Sequence, residues 1–204
     1  MGQVVHIDPL KPDRDALELI ARVIRNGGVI VYPTDTIYGL GCSPANSAAV
    51  ERVLEIKQRS AQKGLLLLVP GMEAVPQLCS KLPAVFQQLA SRFWPGPVTF
   101  LLPGRPELSP LVRGERGLVG LRSPDSAYLR LLMEMIPGPL VSTSANLSGD
   151  RPSGGIRELA ESFLTHVDLF VDGGDAAESV ASTVVDASVT PPAVVRAGVW
   201  AARV

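Results

Sequence analysis

The chain has 204 residues, 46% of them hydrophobic, and a formal net charge of −1. This composition excludes a disordered chain and predicts a single domain, residues 1–204, with a substantial core. The small net charge argues against a broad electrostatic grip on nucleic acid, although it leaves room for a local basic face.

The predicted elements alternate between helical and extended patterns along the chain. Asp13 is placed to cap a first helix, and Asn46 is placed to cap a second. Further helices are predicted at 83–93 and 128–136, each followed by a break rich in proline and glycine. Short strands are predicted at 29–32, 64–69, 98–102, 117–122, 140–144, 169–171, 183–186 and 193–196. The sequence therefore predicts a mixed α/β fold with one sheet-based core, without defining the strand order.

The sequence offers little support for a metal site, a membrane span or an export signal. Two cysteines, Cys42 and Cys79, and two histidines, His6 and His166, show no CxxC or HExxH spacing, so no protein-built metal site is expected. The longest apolar run, at 65–69, is too short to span a bilayer. The N-terminus lacks the layout of a signal peptide. We expect a cytoplasmic protein with reduced thiols and no membrane contact.

A basic cluster follows the second predicted helix. Lys57, Arg59 and Lys63 lie at the helix end and in the loop after it. Helical spacing puts Lys57 and Arg59 on different faces, but if the helix has ended by Arg59 both can point into one cleft. Fixed positive charge of this kind suits phosphate groups. The alternative is a set of solvated side chains that complement the helix dipole.

A polar loop with the sequence STSAN follows an apolar run much later in the chain. Ser142, Ser144 and Asn146 lie in this loop. A strand end that leads into a polar loop is where α/β proteins commonly place ligand-binding groups. The alternative is a loop whose polar side chains hold only their own backbone. Because this loop and the basic cluster lie far apart in sequence, a site that uses both needs a fold that brings them together.

Two further features bear on ligand binding. The segment at 33–42, PTDTIYGLGC, follows a buried strand, and its two glycines allow close backbone approach. It is not a GxGxxG motif, and the chain has no Walker A loop, so any ATP would be held in another way. Arg122 and Arg196 each close an apolar strand, where an arginine is costly unless it is paired. Either a ligand or a carboxylate, Asp125 or Asp186, is the candidate partner.

Taken together, these stretches resemble the YrdC/Sua5 family of threonylcarbamoyl-AMP synthases over nearly the whole chain. The matching motifs are YPTDT-x-YGL at 32–40, KQR with the lysine after it at 57–63, FWPGPVT at 93–99, RSP at 122–124, STSANLSG at 142–149, STVVD at 182–186 and VRAG at 195–198. Each motif alone is weak, but their number and order carry the resemblance. It implies an α/β fold with a twisted mixed sheet, flanking helices and a concave basic cavity.

The resemblance also implies a reaction. L-threonine takes up bicarbonate as a carbamate, which attacks the α-phosphate of ATP and releases pyrophosphate. The product, threonylcarbamoyl-adenylate, feeds a tRNA threonylcarbamoyl transferase complex, which makes N6-threonylcarbamoyladenosine (t6A) at tRNA position 37. Mg²⁺ is expected to arrive with ATP. Weak binding of tRNA by the chain itself stays open.

Family roles carry over to this chain by position. The residues that match L-threonine-binding positions are Thr34, Arg122, Ser142 and Ser182. The residues that match ATP-binding positions are Arg59, Lys63, Ser144, Asn146 and Arg196. Lys57 and Arg59 are the candidate catalytic residues, because nucleotidyl transfer depends on neutralised phosphate charge and in-line geometry more than on a general base.

Three departures from the family pattern and three alternatives remain. Gly64 follows the motif lysine where many members have proline, which favours the short bacterial branch. Leu68 replaces a histidine found near the threonine in longer members, and the chain ends at Val204, without their additional C-terminal domain.

The alternatives are a YciO-like paralogue of weak or different activity, an RNA-binding module, and a carbamoyl-handling module like that of hydrogenase maturation proteins.

Overall fold

The computed structural model describes residues 3–58, 60, 62, 64–146, 156–163, 166–176 and 180–200. Within them, ten strands form one mixed sheet: β1 (Gln3–His6), β2 (Ile30–Tyr32), β3 (Gly39–Gly41), β4 (Leu66–Leu68), β5 (Val98–Pro103), β6 (Leu118–Arg122), β7 (Leu140–Ser144), β8 (Leu169–Asp172), β9 (Thr183–Asp186) and β10 (Ala193–Arg196). Their order across the sheet is β1-β8-β2-β3-β7-β4-β6-β5-β9-β10. The pairs β1/β8, β8/β2, β4/β6 and β5/β9 are parallel, and the others are antiparallel.

Seven α-helices of the described residues flank this sheet: α1 (Arg14–Arg25), α2 (Ser47–Ile56), α3 (Val75–Leu78), α4 (Ala84–Phe93), α5 (Pro110–Arg113), α6 (Ala127–Met135) and α7 (Ile156–Phe163). Both predicted caps are confirmed. The Asp13 carboxylate accepts the N–H of Ala16 at 3.0 Å, and the Asn46 side chain accepts that of Ala49 at 3.0 Å. In the described part of the chain, no helix is long and apolar enough to cross a bilayer.

Some elements were not predicted, and the predicted strand at 64–69 is shorter than expected. The missed elements are β1, β3, α3, α5 and α7. Strand β3 is only three residues long and contains two glycines, which are poor strand formers. A Cβ on Gly41 would lie 2.1 Å from the carbonyl oxygen of Val141, so glycine is required where β3 approaches β7. The predicted close backbone approach therefore occurs between two strands at this position.

The two faces of the sheet are covered to different extents. Alternate strand residues point to opposite faces, and those on the first face pack with α2, α3, α4 and α7 in one buried apolar cluster. On the second face, α1 and α6 cover β1, β8, β2 and the adjoining ends of β4 and β7 in a second cluster. The rest of the second face, on β4, β5, β6, β7 and β9, is left uncovered by these helices, and it lines a cavity.

Candidate active site

The cavity on the second face has a volume of about 690 Å³, which is within the range of small-molecule sites. Its floor is formed by the strand residues that alternate with the buried core, and it combines the small or polar residues Thr99, Gly120 and Ser142 with the apolar residues Leu66, Leu101, Leu118 and Val184. A Cβ on Gly120 would lie at ordinary contact distances from its nearest neighbours, 3.4 Å from Leu101, 3.5 Å from Thr99 and 3.7 Å from the Cα of Leu66. The glycine and the hydroxyl side chains among these apolar residues leave space on the floor and supply hydrogen-bonding groups for a ligand.

Lys57 joins the two polar clusters that are distant in the sequence. Helix α2 ends at Ile56, and Gln58 has a positive φ of 48°, so the chain leaves the helix axis here. The Lys57 ammonium donates to the carbonyl oxygen of Ser144 at 2.6 Å, to its hydroxyl at 3.3 Å and to the Oδ1 of Asn146 at 2.8 Å. It also donates to the carbonyl oxygen of Asn146. Lys57 is only 3% exposed, so a buried charge holds this loop in place.

The other two basic residues of that cluster, Arg59 and Lys63, lie outside the described residues. The condition that the helix ends before Arg59 is met, because α2 ends at Ile56. Of the two clusters, Lys57, Ser142, Ser144 and Asn146 line one cavity in the described part of the chain.

Arg122 lies at the end of β6, where three groups fix its guanidinium. Its Nη1 donates to the Thr36 hydroxyl at 3.1 Å, its Nε donates to the Gly96 carbonyl at 3.3 Å, and its Nη2 forms an ion pair with Asp35. The other Asp35 oxygen accepts the backbone N–H of Asp125 at 3.0 Å. Burial lowers the pKa of Arg122, and the neighbouring Asp35 carboxylate opposes that shift.

The proposed carboxylate partners of Arg122 were wrong. Asp35, in the segment at 33–42, is the partner, because the loop after β2 passes beside the end of β6. Asp125 contributes only its backbone N–H to Asp35. Asp186 instead pairs with Arg116 at 2.8 Å.

Thr34 stabilises the turn that presents Asp35 and Thr36. Its hydroxyl donates to the carbonyl oxygen of Ile37 at 2.7 Å and accepts the backbone N–H of Thr36 at 3.0 Å. Thr34 also lines the cavity. This hydroxyl thus has a structural role in the turn, in addition to its position beside the cavity.

Ser182 and Arg196 form a second polar pair on the cavity wall. The Nη2 of Arg196 donates to the carbonyl oxygen of Ser182 at 2.8 Å and to its hydroxyl at 3.1 Å. The Ser182 hydroxyl lies 2.9 Å from that of Thr99. A Cβ on Gly198 would lie 2.4 Å from the Ala181 carbonyl oxygen, so the chain after β10 crosses closely over the segment that contains Ser182.

Strand register gives the cavity two ends. Leu68 is opposite Arg122 and Leu66 is opposite Gly120, so β4 and β6 both run toward Arg122. Strand β7 is antiparallel to β4, which places Ser144 at the other end, where β4 begins. We call these the Arg122 end, defined by Arg122, Thr36 and Ser182, and the Lys57 end, defined by Lys57, Ser144 and Asn146. Ser142 lies between them, opposite Leu66.

Arg196 contacts Ser182, so it belongs to the Arg122 end although it matches an ATP-binding position.

Other residues of the cavity were missed by the sequence motifs. Asp35 lies behind the cavity lining as the partner of Arg122. It falls within the motif at 32–40, but no local pattern indicates that pairing. Arg113, at the end of α5, and Glu115 and Arg116, in the segment between α5 and β6, also line the cavity. Only the tertiary fold brings this segment to the cavity, and no local pattern indicates it. Among the described residues, no group of three or more His, Cys, Asp or Glu could hold a metal ion.

Comparisons with known proteins agree with this architecture. A protein-family model described as Sua5_yciO_yrdC, telomere recombination, matches residues 22–198. The chain belongs to this Sua5/YciO/YrdC family. It is 39% identical over 180 residues to the threonylcarbamoyl-AMP synthase of Marinobacter nauticus, a match that covers 88% of this chain and 95% of the relative.

Two solved structures are similar over nearly the whole chain. The E. coli YciO crystal structure has a TM-score of 0.91 and 31% identity, and the match covers 98% of this chain and 97% of that one. The structure of P. abyssi Sua5 complexed with L-threonine has a TM-score of 0.90 and 31% identity, and the match covers 96% of this chain but 57% of that one. The chain thus spans little more than half of that Sua5 protein. The predicted α/β fold, a mixed sheet flanked by helices, is confirmed.

Proposed function

We propose that this chain is an L-threonylcarbamoyladenylate synthase, which uses L-threonine, bicarbonate and ATP and releases pyrophosphate. The main observation behind this proposal is the arrangement of one cavity. Lys57 binds Ser144 and Asn146 at one end of it, and Arg122 lies at the other end. The positive charges and the neutral hydrogen-bond donors that this reaction needs therefore line the same cavity. The similarity to a relative named threonylcarbamoyl-AMP synthase, along 95% of that relative, supports the same conclusion.

The Arg122 end is the proposed binding site for L-threonine. Arg122 is held by Asp35 and Thr36, so its guanidinium is already oriented to receive the substrate carboxylate. The hydroxyls of Thr34, Ser142 and Ser182 are the proposed further contacts. The similar Sua5 structure, which contains L-threonine, supports a threonine site in this fold.

The reaction then proceeds across the cavity floor. The threonine amine attacks bicarbonate, and a carbamate forms with loss of water. A carbamate oxygen attacks the α-phosphorus of ATP, the bond from that phosphorus to the bridging oxygen breaks, and pyrophosphate leaves with the electron pair. Such a transfer depends on in-line positioning and on neutralised phosphate charge, which fits a site built from hydroxyls, amides and cations.

The Lys57 end is the proposed binding site for ATP. Lys57 and Arg59 are the proposed catalytic residues, and Arg59, Lys63, Ser144 and Asn146 are the proposed ATP contacts at this end. Arg196, which contacts Ser182 at the Arg122 end, is a further proposed ATP contact that would reach the nucleotide from that side. In the described residues, Lys57 places a buried positive charge beside Ser144 and Asn146, where it can counter the charge of phosphates. Mg²⁺ carried by ATP and water would neutralise further phosphate charge.

The product would enter tRNA modification. Threonylcarbamoyl-adenylate is a mixed anhydride and therefore an activated donor of the threonylcarbamoyl group. A tRNA threonylcarbamoyl transferase complex is the proposed downstream partner, which would transfer this group to make t6A at tRNA position 37. We propose that residues 1–204 form one domain that carries the whole adenylate-forming step.

Pyrophosphate release tests this proposal. The protein is given ATP, Mg²⁺ and bicarbonate with and without L-threonine, and Arg122→Lys is compared with the unaltered chain. We expect release that depends on L-threonine, and at least about a tenfold loss in Arg122→Lys, since lysine lacks the planar fork that binds a carboxylate at two points. ATP consumption that is indifferent to L-threonine would contradict the proposal.

A YciO-like activity is the second candidate. The observation that favours it is the E. coli YciO structure, which matches this chain along 97% of its own length. The KQR and SAN motifs of the present chain count against a loss of synthase activity. A folded protein that binds ATP but releases no pyrophosphate with L-threonine would favour this second candidate.

A further inference from the structure

An ion pair on the cavity wall has no role in the reaction described above. Arg116 lies in the segment between α5 and β6, and its Nη2 donates to Asp186 Oδ2 at 2.8 Å. The Asp186 side chain is 5% exposed, whereas that of Arg116 is 61% exposed. Arg116 lines the cavity, and it belongs to none of the sequence motifs.

Asp186 is fixed independently of Arg116. Its Oδ1 accepts the backbone N–H of Ser188 at 3.0 Å and the Ser188 hydroxyl at 2.5 Å. Burial alone would raise the pKa of Asp186, but the hydrogen bonds from Ser188 and Arg116 outweigh it and lower the pKa. The carboxylate is therefore charged at neutral pH, and it holds one edge of the Arg116 guanidinium in a defined position.

Strand register places Arg116 toward the Lys57 end. Arg116 lies two residues before β6, which runs from Leu118 to Arg122 at the Arg122 end. The backbone N–H of Glu115 donates to the carbonyl oxygen of Gln62 at 3.0 Å. This contact ties the segment to the chain that follows Lys57. Arg116 is therefore on the side of the cavity where ATP is proposed to bind.

The charges at this end favour a further phosphate contact. The Lys57 ammonium already faces four oxygen acceptors of Ser144 and Asn146. Among the described residues, the hydrogen bonds of the Arg116 side chain are limited to Asp186, so its Nε and Nη1 donors remain available to a ligand in the cavity that Arg116 lines. A guanidinium presents such donors as a planar fork that matches phosphate oxygens.

We propose that Arg116, oriented by Asp186, binds the phosphate chain of ATP at the Lys57 end of the cavity. This inference rests on the proposed function for the identity of the nucleotide. Arg113 lines the same end and adds positive charge, whereas Glu115 adds a negative charge. The orientation set by Asp186 directs the guanidinium of Arg116 toward the bound phosphates.

Binding calorimetry tests this assignment without turnover. A non-hydrolysable ATP analogue with Mg²⁺, adenosine, and L-threonine are each titrated into the unaltered chain, Arg116→Gln, Arg116→Lys and Asp186→Asn. Arg105→Gln is the matched control, because Arg105 is exposed, donates its Nε to the Pro76 carbonyl and lies outside the cavity lining. The melting temperature of each variant identifies any that do not fold, and Arg116→Lys keeps the positive charge if Arg116→Gln fails to fold.

We expect Arg116→Gln to weaken binding of the ATP analogue by about tenfold or more, with adenosine and L-threonine binding unchanged. Arg116→Lys and Asp186→Asn should each lose part of that affinity, and Arg105→Gln should lose none. Unchanged analogue binding in a folded Arg116 variant would overturn the assignment, as would an equal loss for adenosine. Failure of the proposed function gives a different result, namely no L-threonine-dependent pyrophosphate release by the unaltered chain.

Discussion

The buried ammonium of Lys57 is hydrogen-bonded to the Asn146 side chain, 89 residues away in the sequence. The end of α2 and the loop after β7 are therefore one structural unit. A substitution at Lys57 changes the geometry of the loop as well as the charge of the site. Activity and stability are coupled at this position for that reason.

We predict that Lys57→Met lowers both stability and activity. Methionine keeps much of the aliphatic stem but leaves the carbonyl oxygens of Ser144 and Asn146 without the ammonium donor. The free energy of unfolding should fall by about 1–3 kcal/mol, and pyrophosphate release should fall by at least about tenfold. Lys81→Met, at an exposed lysine, should change neither quantity. An unchanged urea-unfolding midpoint in Lys57→Met would show that the ammonium does not hold the loop.

Removal of the carboxylate partner of Arg122 should be strongly destabilising. Asp35→Ala leaves a buried guanidinium without its carboxylate, which costs about 3–5 kcal/mol. Asp125→Ala, which keeps the backbone N–H that Asp35 accepts, should stay within about 0.5 kcal/mol. Chemical unfolding of both variants measures the difference. A loss for Asp35→Ala as small as that for Asp125→Ala would contradict this prediction.

Removal of the hydroxyl should change the free energy of unfolding differently at two buried tyrosines, Tyr38 and Tyr128. The Tyr128 hydroxyl is buried and has no hydrogen-bond partner among the described residues. The Tyr38 hydroxyl donates to the Gly174 carbonyl at 2.6 Å and accepts the Gly173 N–H at 3.1 Å. We expect Tyr38→Phe to lower the free energy of unfolding by about 1–2 kcal/mol, and Tyr128→Phe to leave it unchanged or raise it. Chemical unfolding of both variants measures these changes. A larger loss of unfolding free energy in Tyr128→Phe than in Tyr38→Phe would be inconsistent with these contacts.

The two cysteines should make stability fall at alkaline pH. Burial raises the pKa of the Cys42 and Cys79 thiols from 9.0 to about 12 each. As the pH rises, the thiols of the unfolded chain lose their protons before those of the folded chain. The stability that the protonated thiols contribute is therefore complete below pH 9.0 and is lost as the pH rises toward 12. Each thiol contributes a slope of up to about 1.4 kcal/mol per pH unit in this window.

Urea unfolding between pH 8 and pH 10 measures this effect, and the double variant Cys42→Ala, Cys79→Ala is the comparison. We expect a shallower decline in the double variant than in the unaltered chain. The same slope in both proteins would mean that the thiols ionise as readily in the folded state as in the unfolded state.

Local patterns predicted the elements that carry strong local signals. Helices with a capping residue or a proline-rich break, and strands with a continuous apolar run, are found close to their predicted bounds. Strand β1 has a mostly exposed edge and β3 is rich in glycine, so neither shows a strand pattern. Helix α7 has apolar residues Ile156, Leu159 and Phe163 at helical spacing, a signal that was present but not used.

The site was predictable only as separate motifs. Lys57, Ser144 and Asn146 were recognised as candidates, but their hydrogen bonds depend on strand order, which local patterns do not contain. The same limit explains the wrong partners for Arg122, because Asp35 is 87 residues away. Arg116 had no local signal at all.

The most direct measurement follows the carbon of bicarbonate. The chain is incubated with ATP, Mg²⁺, L-threonine and ¹³C-labelled bicarbonate, and the products are separated rapidly and analysed by mass spectrometry. We expect threonylcarbamoyl-adenylate that carries the label, together with pyrophosphate, and no such product when L-threonine is omitted. ATP cleavage without labelled adenylate, by folded protein with all substrates present, would contradict the synthase assignment.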